Sequence, residues 1–250
     1  MRLTHSCANT HRQPPPQPAR AARRPLPPAG EAYCADAMHP ANIRPYRNRL
    51  PRLGARVYID PAAVVVGDVE LGDDVSLWPF TVARGDVNFI RIGARTNIQD
   101  GSVLHVTHDG PYTPGGFPLL IGADVTIGHG AVLHACTIED ACLIGMRATI
   151  LDGAVVRRHA MVGAGAVVTP GKIVGEGELW IGNPARCVRR LTDTQIEQLH
   201  YSAHHYVRLK DEYLAARDAP VTGPTSRELP HAARLRTSSS RPARHCPSAC

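Results

Sequence analysis

Thirteen of the 250 residues are histidines, and three of them, His105, His129 and His134, are spaced as a set that could hold a metal ion. Neutral imidazole is a common ligand for zinc and related metals. Three of them would leave the cation its full charge and an open coordination position. Such a centre polarises and activates water. A single histidine is more often an ordinary turn residue, so only the spacing singles these three out. His134 lies twenty-nine positions beyond His105, and His129 precedes His134 by five. Whether those intervals bring rings together depends on the elements that carry them.

Aliphatic residues mark a six-residue period through the middle of the chain. The marks run Ile59, Val65, Leu71, Leu77, Ala83, then Ile92, Ile98, Leu104, then Ile121, Ile127, Leu133. One five-residue step leads to Ile138, after which Ile144, Ile150, Val156, Val162, Val168 and Val174 resume the period. Glycine often follows the mark, as at Gly72, Gly93, Gly122 and Gly145. Four residues after the mark the side chain is small or β-branched, as at Ala63, Val75, Ala131, Thr137, Ala148 and Ala166. A period of six fits neither a 3.6-residue helix nor simple alternation. It fits short parallel strands joined by sharp turns, a β-solenoid in which three sides of six make an 18-residue triangular coil.

Two stretches interrupt the period: a Gly/Pro-rich loop at 106–120, and a three-residue excess near Asp86–Ile90. Ile121 stands at the seventeenth position after Leu104 instead of the sixth, so the loop adds eleven. Once those eleven are subtracted, His134 follows His105 by one full coil of three six-residue sides. Both directly follow a mark, so they should stack on adjacent rungs at one corner, about 4.8 Å apart. Two imidazoles so placed can share an ion at about 2.0–2.1 Å each. His129 is about two sides of the triangle away from His105. It can reach that ion only from a neighbouring prism, so the spacing predicts metal sites between subunits, and a three-fold arrangement would make three identical ones.

The segments ARGDVNFIRIGARTNIQDGSVLHV, IGADVTIGHGAVLHACTIED and LWIGNPARCVRRL resemble the γ-class carbonic anhydrase-like family, over about Ile43 to Leu214. The resemblance implies a mainly β fold: a left-handed parallel β-helix, a triangular prism, followed by a C-terminal α-helix. The handedness comes from the resemblance, since parallel crossovers are ordinarily right-handed. It further implies a homotrimer and Zn2+, or Fe2+ or Co2+, held by His105 and His134 of one subunit and His129 of the next. The activity implied is hydration of carbon dioxide to bicarbonate by metal-bound hydroxide. Gln99 matches the residue that orients water or bicarbonate, with Asn97 and Asp100 at the accompanying positions. Arg84 and Asp86 match a pair at the subunit interface, which reads as a plain ion pair or as catalytic. Tyr201 or Tyr206 could reach the site from the helix, or pack on the prism. One departure concerns the acidic loop that carries a glutamate proton shuttle in active members. Here VNFIRIG follows Asp86, and 106–120 contains no Glu, only His108 and Asp109.

Rival readings remain open. Hexapeptide prisms also serve CoA-dependent acyl transfer with a histidine base, or CoA-thioester hydrolysis, and a rigid trimer could be a non-catalytic scaffold. Fold alone does not decide between these.

The remainder of the chain bounds the setting. The prism is read as 43–190 and the helix as 191–217, opened by a Thr192/Gln195 capping box. Its face of Ile196, Leu199, Ala203, Val207 and Lys210 to Leu214 is largely apolar and suits packing along the prism. Residues 1–42 and 218–250 are rich in Pro and Arg and read as disordered, with Met38 as a candidate start. An Arg-rich, acid-poor leader also suits a transit peptide, though its prolines and scarce serines argue against one. Each tail carries five arginines and two acids, so the 28 basic and 22 acidic residues of the chain reduce to equal numbers of each sign in 43–217. The basic balance is therefore a property of the tails and does not imply nucleic-acid or membrane binding by the folded domain, and neither partner is expected. No apolar run approaches a membrane span or a secretory signal, and Cys136, Cys142 and Cys187 lack C-x-x-C spacing. A cytoplasmic protein with small buried thiols is expected.

Overall fold

A computed structural model describes residues 40–218. The expected disordered segments lie outside these residues except at their inner edges. There Asn42 donates to the carbonyls of Asp60 and Ala63, at 3.1 and 2.9 Å, and closes the first rung.

The six-residue period becomes a parallel β-solenoid of short strands, and its hexapeptide repeats are those of a left-handed β-helix. Each mark pairs with the mark one coil on. Leu77, Ile98, Ile127, Ile144 and Val162 stack along the first side. Val65, Ala83, Leu104, Leu133, Ile150 and Val168 stack along the second. Leu71, Ile92, Ile121, Ile138, Val156 and Val174 form the third. Every one of these side chains is buried, most of them completely, and each Val, Leu or Ile contributes about 1.5–3 kcal/mol of hydrophobic stabilisation. Glycine after the mark reflects the tight stacking of turns. A Cβ at Gly93 would lie 2.5 Å from the backbone of Gly122 on the next rung.

The irregularities fall where the count put them. Val69 pairs with Ile90, one coil and three positions on, so the three extra positions bulge out after Gly85. The 106–120 insertion folds back on itself, with Thr107 bridged to Phe117 and Gly110 to Thr113. One inward position differs from expectation. At the five-residue step Cys136, not Thr137, fills the small core place, and Thr137 is half-buried. The core pair is the mark and the residue two before it, a rule that coincides with "four after the previous mark" only when the step is six.

Past the prism, Glu178–Ile181 and Arg186–Arg190 pair antiparallel and close the last rung. The helix Asp193–Asp218 then runs back along the first side. Its capping box forms as read: Thr192 Oγ1 accepts from Gln195 N at 3.3 Å, and Gln195 Oε1 accepts from Thr192 N at 3.2 Å. Leu199 and Ala203 are buried, and Trp78 on the prism meets the rings of Tyr206 and Tyr213 edge-on at 5.6 and 5.0 Å. Lys210, fully buried, donates to Asp74 at 2.7 Å and to Asp211. Cys136 and Cys142 are buried free thiols. Burial pushes both up, Cys142 to about 12. Cys187 corrects the expectation of a buried thiol: it is half-buried on the outer closing strand and disulfide-bonded. Among the described residues no helix is long and apolar enough to cross a membrane.

Candidate metal centre

His105 ends the strand Val103–His105 and His134 ends Val132–His134. The two strands pair residue for residue, which sets His134 beside His105 at the end of the second side. Their ring centroids are 5.2 Å apart, and His105 Nδ1 lies 3.2 Å from His134 Nε2.

The outer nitrogen of each ring meets a carboxylate. His105 Nε2 is 3.1 Å from Asp86 Oδ1, and His134 Nδ1 is 2.6 Å from Asp152 Oδ1. An ionised carboxylate only accepts, so both outer nitrogens carry the proton and donate. The carboxylates thereby fix both tautomers and leave two lone pairs pointing at each other across 3.2 Å. Such an arrangement is repulsive unless a proton or a cation lies between. Two nitrogens each about 2.0–2.1 Å from a tetrahedral ion sit about 3.3–3.4 Å apart, so the pair already spans one edge of such a site. Carboxylates behind ligating histidines are the usual supporting shell of a metal.

The local electrostatics agree. Burial raises the Asp86 carboxyl, but hydrogen bonds from Arg84 and His105 outweigh it and hold the group below the ordinary carboxylate range. Burial likewise raises Asp152, and Thr107 and His134 reverse it. Burial, with the charge of Arg84, lowers His105 despite the opposing pull of Asp86, which favours the neutral imidazole that a metal requires.

His129 stands apart. It sits in the turn that opens the second side, five residues before His134 and outside the strand Val132–His134. Its Nδ1 lies 2.9 Å from Asp100 Oδ2, which leaves the lone pair on Nε2. Among the described residues of one chain, no three His, Cys, Asp or Glu side chains group closely enough to hold a metal.

The other anticipated residues divide between the same two corners. Arg84 pairs with Asp86 inside the chain, on the His105 side. Asn97, Gln99 and Asp100 lie near the His129 corner. Gln99 Nε2 donates to Asn97 Oδ1 at 3.2 Å, Asn97 Nδ2 donates to Thr126 Oγ1 at 3.1 Å, and Thr126 Oγ1 donates to Ser202 Oγ on the helix at 3.2 Å. Gln99 and Asn97 are buried, so this relay fixes the amide. Of the two tyrosines, Tyr206 packs on Trp78, with its hydroxyl pushed up by burial and by the charge of Asp100. Tyr201 faces solvent and stacks on His205 at 6.3 Å.

Asp152 and Thr107 were not anticipated. The signal for Asp152 was available, since it follows His134 by one full coil. Thr107 belongs to the insertion, where no period applies.

Known proteins carry the same pattern. The family model described as bacterial transferase hexapeptide (six repeats) matches residues 135–170. Protein YrdA of Escherichia coli (strain K12) is 53% identical over 172 residues, covering 69% of this chain and 94% of that one. A carbonic anhydrase of Geobacillus kaustophilus (strain HTA426) is 40% identical over 188 residues, covering 75% of this chain and 100% of the other. Among solved structures, a hexapeptide transferase family protein from Anaplasma phagocytophilum is similar with a TM-score of 0.63 and 40% identity, covering 68% of this chain and 97% of that one.

Proposed function

The chain belongs to the γ-carbonic anhydrase-like family of hexapeptide-repeat proteins, and we propose that it is a metal-dependent hydratase of carbon dioxide with sites formed between the subunits of a homotrimer. The observation that carries this reading is the pair of lone pairs on His105 and His134, each backed by a carboxylate. The similarity to a named carbonic anhydrase supplies the substrate.

His129 of a neighbouring subunit would complete the ligand set, with its imidazole turned by Asp100 so that Nε2 faces outward. Val103 and Val132 stand side by side on the outer face of the second side, 40% and 36% exposed, between the His129 corner and the His134 end. A second prism packed there would bury both valines and bring the two half-sites together. Zinc, iron or cobalt in that position would supply a Lewis acid that makes water acidic enough to attack carbon dioxide near neutral pH. Gln99 has one amide hydrogen engaged by Asn97, so its carbonyl oxygen would accept the hydrogen of the attacking water or of bicarbonate. Arg84 would hold Asp86 ionised behind His105.

The transferase model that matches 135–170 supports a second reading, acyl transfer or thioester hydrolysis on a CoA ester with a histidine base. A base has no need of two opposed lone pairs, which is why hydration is preferred.

The test is to purify the full chain, measure metal per trimer, and follow carbon dioxide hydration by stopped flow beside His134→Ala. The proposal expects about three ions per trimer, and both metal and hydration lost in the variant. Metal without hydration would leave the centre and discard the substrate. Acyl-CoA turnover that survives chelation would decide for the transferase reading.

A further inference from the structure

The insertion 106–120 lengthens the step from Leu104 to Ile121 by eleven residues, at a cost in chain entropy. Its base is firmly set. Thr107 N donates to Phe117 O at 2.9 Å, Phe117 N donates back to Thr107 O at 3.1 Å, and Asn88 Nδ2 donates to the same oxygen at 3.1 Å. From this fixed base the Thr107 hydroxyl donates to Asp152 Oδ2.

Asp152 differs from two other corner aspartates in what it holds. Asp73 and Asp140 take a backbone amide of the adjacent turn, Ala55 and Ala123 respectively. Asp152 instead gives one oxygen to Thr107 and the other to His134 Nδ1. Its main chain is pinned on both rungs: Gly153 N donates to Ala135 O at 2.8 Å, and Gly171 N donates to Asp152 O at 2.9 Å. A carboxylate fixed at both oxygens and along its backbone can hold an imidazole ring in one rotation. Without Thr107 it could turn about its side-chain bonds and release the ring.

We propose that Thr107 and Asp152 are positioning residues through which the insertion sets the orientation of His134, and so the affinity of the chain for metal. The proposal rests on the metal-site reading above. Asp152 supplies the acceptor that keeps the His134 lone pair on Nε2, and Thr107 supplies the brace that stops Asp152 from rotating. The insertion is thereby a device acting on the metal centre through two hydrogen bonds.

The experiment measures the zinc dissociation constant of the full-length protein by competition with a chromogenic chelator, and the melting temperature of metal-free samples as a control for folding. Asp152→Ala should bind zinc about 10–100-fold more weakly, the usual consequence of removing a partner behind a metal-ligating histidine. Asp152→Asn keeps an acceptor without the charge and should fall between it and the unmodified protein. Thr107→Val should weaken binding by a smaller factor, and Thr107→Ser should restore it. Metal-free melting temperatures close to that of the parent chain would assign these losses to the site. Binding within about twofold of the parent in Asp152→Ala, with His134→Ala far weaker, would overturn the relay and leave the metal site standing. Loss in Asp152→Ala with none in Thr107→Val would overturn the part given to the insertion. Parent-like zinc binding in His134→Ala would overturn the metal-site reading itself, and the relay with it.

Discussion

Subunit complementation tests the division of ligands between two corners. His105 and His134 share one end of the second side, while His129 lies in the turn at the other end, and among the described residues the three do not group closely enough to hold one ion. Within one chain the three rings do not converge, so an ion bound by all three would draw His129 from another chain. Consider His129→Ala and His134→Ala chains mixed in equal amounts and assembled at random into three-fold rings. Each interface joins the His134 end of one chain to the His129 corner of the next. It is intact only when the first chain is His129→Ala and the second is His134→Ala, which happens at about one interface in four. Neither variant alone has any intact interface. The mixture should therefore hold about a quarter of the parent's high-affinity metal and show about a quarter of its hydration activity. The assay is metal analysis and stopped flow on co-refolded samples, with the double variant His129→Ala/His134→Ala mixed into parent chains as a dilution control. No recovery in a mixture whose mixed trimers are demonstrated by mass spectrometry would refute the inter-subunit site.

Other expectations follow from the same contacts. Ile150→Ala removes a fully buried side chain between Leu133 and Val168 and should lower stability by about 2–5 kcal/mol in denaturant titrations. Asp74 binds Arg56 and buried Lys210, and the Arg56 hydrogen bond, against burial, holds its carboxyl below the ordinary value. Its folded-state value is depressed, so its contribution is complete above about pH 4 and is lost as pH falls through the depressed value. Asp74→Asn should therefore flatten the acid limb of a stability-against-pH curve below about pH 4, and helix docking reported by Trp78 fluorescence should follow the same limb. Thr126→Val breaks the relay from Ser202 through Asn97 to Gln99 and should slow hydration on the order of tenfold while leaving metal content unchanged.

The core was legible because one residue in six had to be aliphatic and inward, and a pattern repeated so many times along one axis leaves little room for another fold. Counting alone also placed His134 beside His105, since eleven inserted positions and a coil of three six-residue sides fix the register whatever the loop does. It misplaced Thr137, where a five-residue step separates two rules that otherwise coincide. It passed over Lys210 as a buried cation, because a helical face read by hydropathy gives no hint that Asp74 waits beneath it. It also missed Thr107, whose neighbour Asp152 is 45 residues away and is reached only through an insertion without a period.

These successes and failures have one physical root, and it bears on function. A solenoid gathers residues that share a corner, because each rung repeats the last at about 4.8 Å. His105, His134 and Asp152 follow that rule as members of one column. Residues at different corners of a rigid triangular prism stay a side's length apart, and no hinge brings them together. Chemistry that needs donors converging from several directions must therefore break the period or borrow from a second prism. The chain does the first, and the proposed trimer would do the second. The three-residue bulge after Gly85 sets Asp86 against His105, and the 106–120 insertion carries Thr107 onto Asp152. The donor that no bulge can deliver is His129, and in the proposed trimer it arrives from the neighbouring chain. Deleting the three extra residues at 86–88 should consequently preserve the prism, since Val69 would then pair one plain coil on. The same deletion should weaken zinc binding about 10–100-fold in the chelator assay by removing Asp86 from His105. A deletion that leaves zinc affinity unchanged would show that the bulge has no part in the centre.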